Sequence, residues 1–453
     1  MMTFPPPADL PASAPNSSRI VIGTLLVGCL TGGPFVSLSK WVAEIPASLE
    51  RWPYVFTVWV PLILGSAMFM LDVVAPIAAR GAASAEMLLV AMAAPIALGL
   101  WALASAFWTE SPATTPQQAV LLMLAVFTGI WFGYALTFRQ QVVSLFVGLH
   151  VIVAVSVVLA ATLTSARLGD DWIGLLATPD QLSPVAGLGM IAAIGAILLS
   201  RSLRLKMATG VLVVADVVVV WQTASTSGLL ALCGATIAFA LVLLVRGLTA
   251  RRSPPATTST GSGGGRVALA MVVGAALLAV HFVIQLFADS LDEDSALAQR
   301  ADVWRFVFDA VADRWIVGFG FQSFWDTVTG SGSDPTAGVM TGVLSAHSTF
   351  VDTLLYLGSI GLLLLVVVVI FGVGRVWWEA LGGQSWAMGW WAAVATFVLL
   401  VNLTESLMAQ HSVFWIVLVA PGFAAMRYSA AMSTTPALRP DRPTSALSSY
   451  TYQ

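Results

Sequence analysis

Apolar residues in this chain gather in blocks of about 17 to 25 positions, the length an α-helix needs to cross a bilayer. Each block is bounded by charge or by Pro, Gly and Ser. Twelve can be marked, at 20–37, 54–72, 86–106, 119–137, 142–163, 184–200, 208–222, 228–245, 267–287, 350–373, 387–403 and 412–426. The pattern lacks the roughly ten-residue alternation of a membrane β-barrel, so it predicts an all-α integral membrane protein of about twelve transmembrane helices. Composition agrees. Of 453 residues, 58 % are hydrophobic and 9 % are charged, against about 25 % charged in soluble domains, which excludes a water-soluble enzyme. The two cysteines, Cys29 and Cys233, lie in separate apolar blocks and form neither a metal motif nor a disulfide framework.

Charge adds orientation. Fourteen of the 20 Lys and Arg residues fall on one side of the predicted topology, and basic residues favour the cytoplasm. Both termini are therefore expected inside. The first block lacks a clear cleavage site and reads as a retained helix. The resulting division is a cytoplasmic head at 1–19, helices one to nine at 20–287, a large outer loop at 288–349, helices ten to twelve at 350–428 and a tail at 429–453. The tail is rich in Ser, Thr and Pro and is expected to be disordered, and 251–266 reads as a flexible basic linker.

The outer loop, about 60 residues, stands out because long connections are usually functional. Within 298–313 the apolar residues Trp304, Val307, Phe308 and Val311 recur at helical spacing. Arg305 has Asp302 at i−3 and Asp309 at i+4, enough for a surface ion pair. Arg300 has no acid at those spacings, so its guanidinium is expected to be free for an anion, and Arg suits bidentate phosphate contacts. Gly318 and Gly320 allow a tight turn or a close backbone approach to a ligand. His347 precedes a predicted helix start, and an imidazole at such a place suits acid/base work on a lipid-linked phosphate. Thr349 and Asp352 fit a capping box for that helix. His150, His281 and His411 read as structural. Asp292, Glu293 and Asp294 have the literal form of a metal-binding DxD, although a solvated acidic run explains them as well.

Taken together, Arg300 and Trp304, the run from Trp315 to Gly320, Ser345-Ala346-His347 with Asp352, and the run at 354–361 resemble the signature region of the O-antigen ligase/polymerase family. Ser105-Ala106-Phe107-Trp108-Thr109-Glu110-Ser111-Pro112 and Asn402-Leu403-Thr404-Glu405-Ser406 extend the likeness over roughly 90–425, which looks closest to exopolysaccharide polymerases. The resemblance implies a GT-C type membrane glycosyltransferase at the outer face of the bacterial inner membrane. Its donor would be a glycan on undecaprenyl pyrophosphate and its acceptor another glycan or lipid A core. It implies no cofactor, no metal and no nucleic acid; membrane lipids and other polysaccharide export proteins would be its partners. Carried over, Arg300 and His347 would be catalytic, and Arg305, Trp304, Gly318, Gly320, Ser348 and Glu405 would bind substrate. The enzyme reading predicts an outer-face cavity with Arg300 and His347 facing each other across it.

There are departures. Ser348 stands where the family usually has Asn, and neither Thr223–Gly228 nor the run at 174–180 carries the usual cation. A transporter is the rival reading. It would place its chemistry at buried groups near the midplane, for which Asp72 and Asp216 are the candidates, Asp216 most simply as one end of an interhelical hydrogen bond.

Overall fold

The computed structural model of the chain describes residues 17–32, 54–80, 86–250, 296–325, 345–382, 385–407 and 412–434. It is an all-α membrane protein. Its helices are α1 (Ser17–Gly32), α2 (Val55–Ala78), α3 (Glu86–Phe107), α4 (Thr115–Tyr134), α5 (Phe138–Thr162), α6 (Pro179–Leu199), α7 (Leu203–Gln222), α8 (Thr226–Ala250), α9 (Ala296–Val311), α10 (Thr349–Gly382), α11 (Trp386–Thr404) and α12 (Val413–Thr434). A two-stranded hairpin, β1 (Arg167–Leu168) with β2 (Asp171–Trp172), follows α5. Among the described residues, nine helices are long and apolar enough to cross a membrane. α1 and α7 stand where two further spans are expected; the expected span at 267–287 and the linker at 251–266 lie outside the described residues.

Two helices outrun their apolar blocks. α10 continues to Gly382, and α12 passes Ser429, where a disordered tail is expected, to end at Thr434. Polar contacts between the two ends account for both. Arg375 Nη2 lies 3.4 Å from Glu379 and donates to Ser429 Oγ at 3.2 Å, and Ser429 Oγ donates to Glu379 at 2.5 Å. Counting apolar residues detects only the stretch matched to lipid and misses such interfacial turns.

Lipid leaves a clear signature on α7. Met207, Val211, Val214, Val218 and Trp221 form an exposed apolar stripe at three- and four-residue spacing, while Thr209, Asp216, Val219 and Val220 are buried on the opposite face. In water such a stripe would favour aggregation; in a bilayer it is matched to the solvent. Helix pairs approach closely at small residues. Gly28 lies against Gly148 between α1 and α5, and Gly133 against the backbone of Ala420 between α4 and α12. Membrane helices associate through such contacts because the hydrophobic effect does not drive them together in lipid.

Several buried polar groups are paired between helices. Gln141 Nε2 donates to the carbonyls of Phe132, Gly133 and Leu136, and its Oε1 accepts from Trp391 Nε1 at 3.0 Å. Arg427 adds bonds to the Tyr134 and Ala135 carbonyls, so the last turn of α4 is satisfied. Asp72, in a π-turn of α2, takes Arg19 at 2.5 Å and Trp131 Nε1 at 2.9 Å. Asp216 accepts from or shares a proton with His150 Nε2 at 3.1 Å, the interhelical bond expected of it. Neither acid is an isolated charge.

α10 is broken in its upper half. Gly358 has φ +66° and ψ −168°, leaving main-chain groups on either side without helical partners. The strip 315–320 supplies them. Phe319 and Gly320 N–H donate to the Leu355 and Tyr356 carbonyls at 3.0 and 2.9 Å, and Ser359 N–H donates to the Trp315 carbonyl at 2.7 Å. A β-carbon at Gly358 would press on the Ile316 carbonyl and the Val317 nitrogen, whereas one at Gly374 meets nothing nearby. Gly358→Ala should therefore lower stability by about 1–3 kcal/mol, the usual range for a strained backbone residue, and Gly374→Ala should not. Thermal unfolding in detergent would compare them; equal melting temperatures would contradict this account of the break.

Candidate functional site

The end of the bundle at which α6, α8 and α10 begin and α11 finishes is the upper end. Its outer segment is held from below by the turn after α3. Ser105 Oγ accepts from Phe321 N–H at 2.9 Å, Thr115 Oγ1 donates to the Phe321 carbonyl at 3.0 Å, and Trp108 Nε1 donates to the Val317 carbonyl at 3.2 Å. Arg314 pairs with Glu110 at 2.8 Å and lies 4.8 Å from the centre of the Phe319 ring. The Ser105–Pro112 motif thus works as a clamp on the strip that crosses the α10 break.

α9 lies above. Its buried stripe runs through Val303, Val307 and Val311, while Phe308, expected on that stripe, is half exposed. Trp304 Nε1 donates to the Ala346 carbonyl at 2.8 Å. The Ala346 N–H donates to Asp352 Oδ1 at 3.0 Å, which also accepts from Trp325 Nε1 at 3.0 Å, while Ser406 Oγ donates to Asp352 Oδ2. Asp352 is fully buried and ties the segment before α10, the end of the α9 loop and the end of α11 into one unit. The capping box expected of Thr349 and Asp352 does not form. Ser348, buried, occupies the N-cap without a side-chain cap bond, and Thr349 Oγ1 donates to Asn402 Oδ1 at 2.8 Å. Tertiary donors win both side chains away from the local arrangement.

His347, between Ala346 and Ser348, has φ +50°. A non-glycine residue there costs on the order of 1–3 kcal/mol and persists only where its surroundings impose it. The bonds to both polar groups of Ala346 do so. The imidazole projects to Glu405 just past α11, with Nδ1 3.3 Å from Oε2. Arg300 reaches the other oxygen, Nη2 to Oε1, at 2.7 Å. Side-chain exposure is 6 % for Glu405, 19 % for Arg300 and 41 % for His347, so the carboxylate is enclosed and the imidazole opens outward.

These contacts revise two expectations. Arg300 is not free: its acid comes from Glu405, 105 residues along the chain, where helical spacing cannot reveal it. Arg300 and His347 do not face each other across a cavity; they converge on one carboxylate. Arg305 does make the local pair, with Asp302 at 2.8 Å, and its side chain is 78 % exposed. Gly318 and Gly320, both at positive φ, make the close approach that glycine allows, Gly318 to the α10 break and Gly320 to Thr109.

Hydrogen bonding to Glu405 raises the pKa of His347 above the usual imidazole value; desolvation and the Arg300 charge oppose this, and the charges of Glu405 and Asp180 add to it. Asp180, in the first turn of α6, accepts from Ser225 Oγ at 2.7 Å, and Ser225 Oγ lies 3.0 Å from Ser227 Oγ. In the sequence these two segments stand out only for lacking a cation. Trp325 gave no signal at all, and Asn402 and Ser406 registered only as neighbours of Glu405 in the resembling stretch, since a buried hydrogen bond between distant segments has no periodicity. The acidic run Asp292–Asp294, His281 and His411 lie outside the described residues.

Comparison with known families places a match at residues 211–366 to the family described as O-antigen ligase. The match includes Arg300, Trp304, Arg305, Gly318, Gly320, His347 and Ser348, and stops short of Glu405. No curated protein matches the chain.

Removing the Asp352 carboxylate would leave three donors without an acceptor in the core. At about 1–3 kcal/mol for each buried unsatisfied group, Asp352→Ala should destabilise the protein by several kcal/mol, and Asp352→Asn, which keeps one acceptor oxygen, by less. Melting temperatures of the purified variants measure the order; an unchanged Asp352→Ala would remove Asp352 from its place as the anchor.

Proposed function

We propose, on the footing of the match at residues 211–366 to the family described as O-antigen ligase, that the chain is an O-antigen ligase/polymerase-family enzyme that polymerises oligosaccharide repeat units carried on undecaprenyl pyrophosphate. In this reading it works at the outer face of the bacterial inner membrane with both termini in the cytoplasm. An acceptor hydroxyl attacks the anomeric carbon of the donor sugar, the carbon–oxygen bond to the pyrophosphate breaks, and undecaprenyl pyrophosphate leaves with inversion. Arg300 and His347 are the catalytic pair, and neither metal nor cofactor takes part.

The observation that carries this reading is the sharing of Glu405 by Arg300 and His347. One buried carboxylate holds both side chains in place before substrate arrives, and a preorganised cationic site stabilises developing charge more than groups that must reorient. Glu405 takes a single N–H from Arg300 and occupies only Nδ1 of His347. Among the described residues the other guanidinium donors and Nε2 have no hydrogen-bond partner, which leaves them for phosphate oxygens, on which charge grows as the bond breaks. Because the pKa of His347 is raised, the imidazolium is retained to higher pH and serves as a cation and donor. Trp304, Gly318, Gly320 and Ser348 act on the substrate through the loop they shape, and Arg305 stands at the rim. A ligase that passes the glycan to lipid A core is the second reading, favoured by the description of the matching family; it needs the same donor chemistry and differs in acceptor.

Purified protein given a lipid-linked repeat unit tests the proposal directly. A ladder of lengthened lipid-linked chains is the polymerase outcome, and transfer that requires an added lipid A core acceptor is the ligase outcome. Arg300→Ala and His347→Ala should each reduce the rate by about 10²-fold or more, and Arg305→Ala, exposed and locally paired, by far less. Equal losses at Arg300 and Arg305 would contradict the assignment.

The raised pKa has a definite sign. Activity that needs the imidazolium is present below the folded-state pKa and lost as pH rises through it. Glu405→Gln removes the main cause of the shift, so the alkaline limb of the rate profile should move to lower pH. A limb that stays in place would mean that His347 does not set it.

A further inference from the structure

The transfer step requires a group to take the acceptor's proton, and the catalytic pair is poorly suited to it. Glu405 is occupied on both oxygens, by Arg300 and by His347, and His347 is held toward its protonated form. A third acid stands at the same end of the bundle. α6, α8 and α11 pack on one another, and their upper ends carry Asp180, Ser225 and Glu405 respectively.

Asp180 is fixed but not consumed. Ser225 donates to Oδ1 at 2.7 Å and is itself within 3.0 Å of Ser227. The turn that presents Ser225 passes through Ala224 at φ +46°, a conformation unusual for alanine and one that persists only when its surroundings hold it. Among the described residues Oδ2 has no hydrogen-bond partner. Capping does not explain the carboxylate, because Gln181 Oε1 takes the N–H groups of Ala177 and Thr178 at 3.0 and 3.3 Å. Neither 174–180 nor 223–228 contains a Lys or Arg, so no neighbouring cation from these segments neutralises it. Asp180 nonetheless stands near enough for its charge to act on His347. The charged groups that act on that imidazole are Glu405, Arg300 and Asp180, and Asp352, held by its own three donors, lies near enough to feel it in turn.

We propose that Asp180 is the base that accepts the proton of the attacking hydroxyl, with Ser225 orienting the carboxylate so that Oδ2 meets the acceptor glycan. The inference rests on the glycosyl-transfer reading above and adds to it the acceptor side of the site. The acceptor O–H bond breaks and its proton passes to Oδ2. The oxygen bonds to the anomeric carbon as that carbon's bond to the pyrophosphate breaks, and the electron pair leaves with undecaprenyl pyrophosphate beside Arg300 and His347. The acceptor is then bound through hydroxyl groups at an acidic, serine-lined wall, and the donor through phosphate at a cationic one.

The test uses full-length purified protein, a lipid-linked repeat unit and sodium azide as an alternative nucleophile. Azide attacks without losing a proton, so it needs no base. Asp180→Asn should lower glycan transfer by about 10²-fold or more and still form glycosyl azide at a rate near that of the unsubstituted protein. Asp180→Glu should recover part of the glycan transfer, and Arg300→Ala should lose both products. Glycan transfer retained in Asp180→Asn would overturn the proposal, as would loss of glycosyl azide in parallel with glycan, which would make Asp180 a structural residue. If the unsubstituted protein forms neither product, the transfer reading itself fails, a result distinct from either outcome for Asp180.

Discussion

The upper end of this protein depends on a run of main-chain hydrogen bonds between the strip at 315–320 and the break in α10. In lipid an unpaired backbone group costs several kcal/mol, so irregular backbone survives at depth only when protein satisfies it. The break makes that demand and the strip meets it. In doing so it fixes α9, which precedes the strip, relative to the start of α10, which precedes the break. Arg300 lies on the first and His347 just before the second. Their meeting at Glu405 follows from a backbone constraint made some distance away; the glycines at 318 and 358 are required because the strip and the break lie too close for β-carbons, and Gly320 because it lies against Thr109.

Two acids at this end show how partners decide what a buried charge does. Asp352 is surrounded by neutral donors, an indole, a hydroxyl and an amide. All of them are fixed in the fold, so the carboxylate acts as an anchor. Glu405 is surrounded by two cationic or cation-capable groups that retain donors of their own. Its charge restrains them without exhausting them, which leaves a site with positive character on its open side. Replacing cationic partners by neutral ones would turn the second arrangement into the first.

Much of this was legible in the sequence, for reasons that also set the limit. Bilayer thickness imposes a length on apolar runs, so the blocks at 86–106 and 387–403 find their helices almost to the residue. Where polar contacts extend a helix beyond lipid, as between Arg375, Glu379 and Ser429, the apolar count stops short. Local pairing was readable too: Arg305 with Asp302 lies within one turn. Arg300 was read as free by the same rule because that rule sees only four residues in each direction. The resemblance marked Arg300, His347 and Glu405 separately; that they converge on one carboxylate is a fact of tertiary structure. Asp180 and Ser225 registered only as positions without a cation, and their hydrogen bond spans 45 residues.

The order in which these parts are made has its own consequence. Glu405 and Ser406 follow α11, the last but one of the described helices, so during synthesis Arg300, His347 and Asp352 all emerge before the groups that complete them. Until α11 enters the bundle, Asp352 lacks one of its donors and the two cations lack their shared anion. A chain still on the ribosome, or cut short before residue 405, therefore carries the residues of the site without its geometry. In the proposed reading, competence then arrives as a late step of assembly, when α11 joins the bundle.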